Sequence, residues 1–228
     1  MWRFLFDLDG TILDTTDLIV QSFLYTFARG LGEVVTREDV IEHFGRPLTE
    51  QLQTLRPGLP EKEVARLAEM FHQHDRAQHD RLVALVPGAD EGLALLAEKG
   101  YKMGVVTSKR LDLTLQGLKL FNLDQFFEVI VHKDSTTHHK PHAEPVRHAL
   151  TLMGADPSRT AYVGDSPYDM QSGHAAGVRT LGLVYNTFTQ EQLRTAGADR
   201  VVNSWPEVVE VLTQWSSSVE ADATLKKR

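Results

Sequence analysis

Apolar positions along this chain follow two rhythms, which divide it. From residue 83 onward, short apolar runs alternate with segments of helical spacing. Residues 89 to 99 read as a helix stopped by Gly100, and Met103-Gly104-Val105-Val106 then reads as a buried strand. The pattern continues with a helix near 110 to 119, a strand near 128 to 132 and a helix near 142 to 153. Thr160-Ala161-Tyr162-Val163 reads as a further strand, with two more near 179 to 184 and 199 to 202. Strands separated by helices of this length predict right-handed crossovers and a parallel sheet covered on both faces. The N-terminal run Phe4, Leu5, Phe6 and Leu8 supplies another central strand.

Residues 15 to 82 break this alternation. Leu18, Ile19, Phe23 and Phe27 hold helical spacing, and few strand-like runs follow. The expected fold is therefore α/β, a doubly wound, Rossmann-like parallel sheet with a small inserted α-helical cap. Its boundaries are 1–14 and 83–215 for the core and 15–82 for the cap, with 216–228 as an unstructured polar tail.

Composition narrows the function classes. With 228 residues, 42% of them hydrophobic, the chain can fill a large core. A net charge of −7 argues against a nonspecific nucleic-acid or anionic-membrane binder, whose surface carries a positive field. There is no cysteine, hence no disulfide or thiolate site, and no uncharged run of roughly 18 residues that reads as a membrane span. A cytoplasmic protein is expected, monomeric or homodimeric.

The candidate chemistry lies where strands end. Asp7 and Asp9 follow the first strand, with Gly10 breaking it, and Gly164-Asp165 with Asp169 follows another. Ligands in open parallel sheets bind at such carboxyl ends. Val105-Val106 runs into Thr107-Ser108-Lys109, which offers hydroxyls and free N–H groups, and Lys140-Pro141 opens a further helix. Each piece alone reads equally well as a turn, a helix cap or an exposed charge. Gathered at one sheet edge, four carboxylates repel unless a cation joins them, and oxygen-only donors select a hard ion such as Mg²⁺.

These segments resemble, in order, the four motifs of the haloacid dehalogenase superfamily. They are Asp7-x-Asp9-Gly10-Thr11, Thr107 after a strand, Lys140-Pro141, and Gly164-Asp165 with Asp169. The branch with a helical cap after the first motif, containing phosphoglycolate phosphatases, a pyrophosphatase and β-phosphoglucomutases, is the most similar. The resemblance implies Asp7 as nucleophile, giving an aspartyl-phosphate, and Asp9 as general acid and base. It implies Mg²⁺ held by Asp7, Asp9 through its carbonyl, and Asp165, with Asp169 on the metal or its waters. Gly10, Thr107, Ser108 and Lys140 bind the phosphate, and Thr107 and Lys140 also offset the developing charge.

The resemblance further implies a small phosphorylated metabolite as substrate, phosphoglycolate-like, with pyrophosphate hydrolysis or phosphomutase activity as the alternatives. Arg46, in a turn similar to the branch's cap loop, is the expected specificity residue. Ala143 stands where relatives often carry proline, and Ser108 where phosphoglycolate phosphatases often carry asparagine. A non-catalytic phospho-ligand binder is the remoter alternative, and a signalling receiver is excluded because its acidic pair precedes the phosphorylated aspartate. His138-His139-Lys140-Pro141-His142 invites a zinc reading, but adjacent side chains diverge and no second cluster completes the set. His72, His74 and His79 read as surface groups, and Trp205 and Trp215 as packing groups.

Overall fold

The computed structural model describes residues 1–44 and 47–225. The chain divides into two units, Met1–Leu13 with Leu85–Arg228, and Asp14–Ala84. The first unit holds a six-stranded parallel sheet of order β5-β4-β1-β6-β7-β8. Its strands are β1 (Arg3–Phe6), β4 (Lys102–Val106), β5 (Phe127–Val131), β6 (Thr160–Gly164), β7 (Arg179–Leu183) and β8 (Arg200–Val202). Between and after them run α5 (Ala89–Glu98), α6 (Leu111–Leu120), α7 (Glu144–Met153), α8 (Pro167–Ala176), α9 (Gln190–Thr195) and α10 (Trp205–Leu225). Two short strands, β2 (Leu13–Asp14) and β3 (Ala84–Leu85), pair separately where the chain passes between the units.

β1 is central because it is apolar on both faces. Successive side chains on a strand point oppositely. Leu5 accordingly joins a buried cluster with Val146, Ala149 and Leu150 of α7, while Phe6 stacks on Trp205 of α10 with centroids 5.6 Å apart. α8 starts at a capping box, in which the Ser166 hydroxyl accepts from the Asp169 N–H and the Asp169 carboxylate accepts from the Ser166 N–H.

The second unit consists of α1 (Thr16–Gly30), α2 (Arg37–Ile41), α3 (Leu48–Leu55) and α4 (Glu61–Leu82). Its own core gathers Val20, Phe23, Phe27, Val40, Leu52, Val64, Leu67 and Phe71. In α1 and α4 those positions recur every three or four residues, so each of these two helices buries one stripe. Two of the histidines expected at the surface are packed here. His79 is fully buried with Nδ1 2.9 Å from Asp80 Oδ1, and half-buried His74 stacks on Tyr25 and pairs with the Ser22 hydroxyl at 3.0 Å. Both lie on the inward stripe of α4, which the abundance of charge around them conceals in sequence.

The expected unstructured tail also differs. α10 continues to Leu225, past the boundary placed at Ser216. Ser216 is buried and its hydroxyl pairs with Tyr101 at 2.6 Å while donating to Thr213 O at 2.8 Å, so the helix does not stop at this serine. Among the described residues, no helix is long and apolar enough to cross a membrane.

Candidate active site

Asp7 is delivered by strand pairing carried one residue beyond β1. Its N–H donates to Val163 O at 2.9 Å, which fixes the backbone while the carboxylate emerges at the sheet edge, only 8% exposed. The chain then turns tightly, with the N–H groups of Ile12 and Leu13 on Leu8 O at 2.8 and 2.9 Å. Gly10 makes the turn possible at φ +81°, and a Cβ there would lie 2.3 Å from Asp165 Oδ2. The loops after β1 and β6 therefore touch backbone to carboxylate. Trp205 secures the same turn by donating its indole N–H to Thr11 O at 2.8 Å.

Lys140 stands between two carboxylates. Its Nζ lies 2.8 Å from Asp7 Oδ1 and 2.6 Å from Asp169 Oδ1, and 3.3 Å from the Tyr162 hydroxyl. Asp169 is fully buried and saturated: Oδ1 takes Lys140 and the Tyr162 O–H at 2.9 Å, and Oδ2 takes the Ser166 N–H and O–H at 3.1 and 2.5 Å. Asp165 is treated differently, with the Thr11 hydroxyl donating to its Oδ1 at 3.1 Å.

The electrostatics follow from burial and crowding. Burial foremost pushes the Asp7 carboxyl up to about 7; Asp169 and Asp9 add to this, while Lys140 opposes it. Asp165 is also raised well above the ordinary carboxylate range by burial, then by Asp169 and Asp7. For Lys140, burial alone acts downward, but the Asp169 and Asp7 charges outweigh it and hold the ammonium form more firmly than usual. One lysine thus faces three carboxylates.

Asp7, Asp165 and Asp169 each offer an oxygen, all within 4.8 Å of one another. The donor set contains oxygen alone and carries surplus negative charge in a buried place, which fits a hard divalent cation. Asp9 sits apart from these three, on the Lys109 ammonium at 2.8 Å, in a partly buried pair.

Thr107 ends the neighbouring strand, where its N–H continues β4/β5 pairing on Val131 O at 2.9 Å and its hydroxyl accepts the Lys109 N–H at 3.1 Å. It does not cap a helix, since α6 begins four residues later, after Arg110. Ser108 is exposed beside it. Arg46 lies outside the described residues.

Four contributors escaped the sequence reading: Thr11, Lys109, Tyr162 and Ser166. Ser166 was legible, because Ser-x-x-Asp before an apolar stretch is a capping-box signature. Tyr162 is the one hydroxyl-bearing ring in its strand, and a buried phenol needs a partner.

A doubly wound parallel sheet whose adjacent strand ends converge on a buried lysine among aspartates is the layout of a phosphoryl-transfer hydrolase. A family profile for haloacid dehalogenase-like hydrolases matches residues 4–183, and the chain belongs to that family. It is a hydrolase, and its relatives are phosphatases. Pyrophosphatase PpaX of Halalkalibacterium halodurans is 38% identical over 208 residues, covering 91% of this chain and 95% of the relative. Pyrophosphatase PpaX of Bacillus pumilus is 38% identical over 189 residues, covering 83% and 86%. Among solved structures, a haloacid dehalogenase-like family hydrolase from Streptococcus pneumoniae shares the fold with a TM-score of 0.82 at 23% identity, covering 92% of this chain and 98% of that one.

Proposed function

We propose that this protein is a Mg²⁺-dependent phosphatase that hydrolyses inorganic pyrophosphate through an aspartyl-phosphate on Asp7. The observation that carries the chemistry is Lys140 bridging Asp7 and Asp169 beside Asp165. Lys140 aims the Asp7 oxygen it holds and supplies positive charge where the transferring oxygens gain negative charge. Asp7 Oδ attacks phosphorus as the bond to the leaving phosphate oxygen breaks. Asp9, one residue before the Gly10 turn, hands the leaving group its proton. It then accepts one from the water that attacks phosphorus and restores the Asp7 carboxylate. Each cycle converts pyrophosphate and water into two phosphates.

Asp7 and Asp165, with the Asp9 carbonyl, would hold Mg²⁺, which when bound would neutralise the carboxylates and the phosphoryl charge, while Asp169, its oxygens already engaged, would fix Lys140 beside the ion. Thr107, the Ser108 N–H and the Gly10 backbone receive the remaining phosphoryl oxygens.

The choice of pyrophosphate over a phosphoglycolate-like monoester rests on two supports. Relatives matched over nearly the whole chain bear the name pyrophosphatase. Lys109 also puts a cation beside Asp9, on the side where the second phosphate departs as an anion. The test is phosphate release with Mg²⁺ from pyrophosphate, phosphoglycolate and ethyl phosphate, ranked by kcat/KM. Pyrophosphate should lead; a lead for phosphoglycolate replaces the substrate, and no release from any of them removes the function.

A further inference from the structure

We propose that His138, His142 and Glu144 form a second metal site, specific for a divalent transition ion such as Zn²⁺ and built on the loop that carries Lys140. One donor atom from each of the three residues lies within 4.8 Å of the others. Both imidazoles turn Nδ1 toward Glu144: that of His138 is 2.6 Å from Oε2, and that of His142 accepts the Glu144 N–H at 3.1 Å. The rings stack with centroids 4.5 Å apart. The carboxylate is oriented independently, with the Thr137 N–H on Oε1 at 3.1 Å and the His138 N–H on Oε2 at 3.0 Å. Fixing a ligand through its other hydrogen bonds is how metal sites are pre-set.

Sequence spacing misleads here because adjacent histidines do diverge. The residues that converge are four and six positions apart, and the third donor is a glutamate. Two imidazoles and a carboxylate suit Zn²⁺, with water as fourth ligand, whereas the buried all-carboxylate cluster suits Mg²⁺. Zinc bound at about 2.0–2.1 Å needs its donors roughly 3.3 Å apart, so the His138–Glu144 pair must open by less than an ångström. Access is from solvent, since His142 and Glu144 line a surface cleft with Arg147, His148 and Thr151. Arg147, the cation of that cleft, is turned away onto Ala175 O at 2.8 Å.

His138 and His142 flank Lys140 by two residues on each side. Binding itself is independent of the proposed activity and is measured first. Untagged full-length protein is titrated with Zn²⁺ by calorimetry in excess Mg²⁺, which keeps the acidic cluster filled. One equivalent should bind, and His142→Asn and Glu144→Gln should each weaken it on the order of tenfold or more. Co²⁺ in place of Zn²⁺ should give the visible absorption of a four-coordinate ion, lost in His138→Asn. Should Glu144→Gln fail to fold, the two histidine variants decide. Absence of binding, affinity unchanged by the variants, or displacement of Zn²⁺ by Mg²⁺ overturns the site.

Discussion

The ends of β1 and β6 look alike in sequence, each a hydrophobic strand running into two aspartates, yet the protein uses them oppositely. At β6, Asp169 is sealed in with every oxygen engaged, while half-buried Asp165 accepts from the Thr11 hydroxyl. At β1, Asp9 has a lysine of its own, Lys109, while Asp7 shares Lys140 with Asp169. On the proposed function, acid at β6 would serve as scaffold and cation seat, and acid at β1 would react. The lesson is that a carboxylate's role follows from how many of its lone pairs are already satisfied.

The sharpest way to break this contrast is Asp7→Asn. The nucleophile is gone, and turnover should fall by at least about 10³-fold with no acid-labile phosphoenzyme in a quench assay. Retained turnover would make the two strand ends equivalent. Next comes Lys109→Met, expected to lower kcat on pyrophosphate by roughly 10–100-fold, with a smaller loss on ethyl phosphate, whose leaving group carries no charge. Equal losses on both substrates would reduce Lys109 to packing.

Asp165→Asn probes the cation seat, and the readout is thermal stability. Wild-type protein should gain Tm on adding Mg²⁺ and the variant should not, while in chelator the variant should match or exceed wild type. This gain should depend on pH through Asp7. Its folded value near 7 lies above its ordinary value of 3.8, so the folded state keeps a proton that the unfolded state releases. Stability in chelator therefore falls as pH rises from about 4 to about 7, and Mg²⁺ should restore more Tm at pH 8 than at pH 6. A flat or reversed difference would remove Asp7 from the seat. Tyr162→Phe should be mildest, costing on the order of 1 kcal/mol, or a Tm loss of roughly 2–4 °C, because Asp169 retains three donors.

Much of this was readable beforehand. Alternation of short apolar runs with helical stretches marks β4, α7 and β6, because buried parallel strands are continuous in hydrophobicity. Asp7, Asp9, Lys140, Asp165 and Asp169 stand out only together, as motifs in a fixed order, because each alone passes for a turn, a helix cap or an exposed charge. What stayed hidden depends on registry between distant segments. Lys109 meets Asp9 across 100 residues, and Thr11 meets Asp165 across 154. His79 was misread because α4 is charged nearly all round, and its burial is decided by the stripe it shares with Phe71 and Leu67. The tail was misread because three serines suggest a loop, whereas Ser216 caps its own hydrogen bonds on the preceding turn and on Tyr101.

The central place of β1 sets a timetable. It is the first strand to be synthesised, yet its partner β6 begins only at Thr160. During translation, one edge of an apolar strand waits unpaired for some 150 residues, which is the circumstance in which strand edges recruit strangers. A ribosome-bound chain cut short before β6 carries Asp7 with neither Asp165 nor Asp169. On the proposed function such incomplete copies would be inert, and the burden of guarding that edge falls on whatever attends the nascent chain.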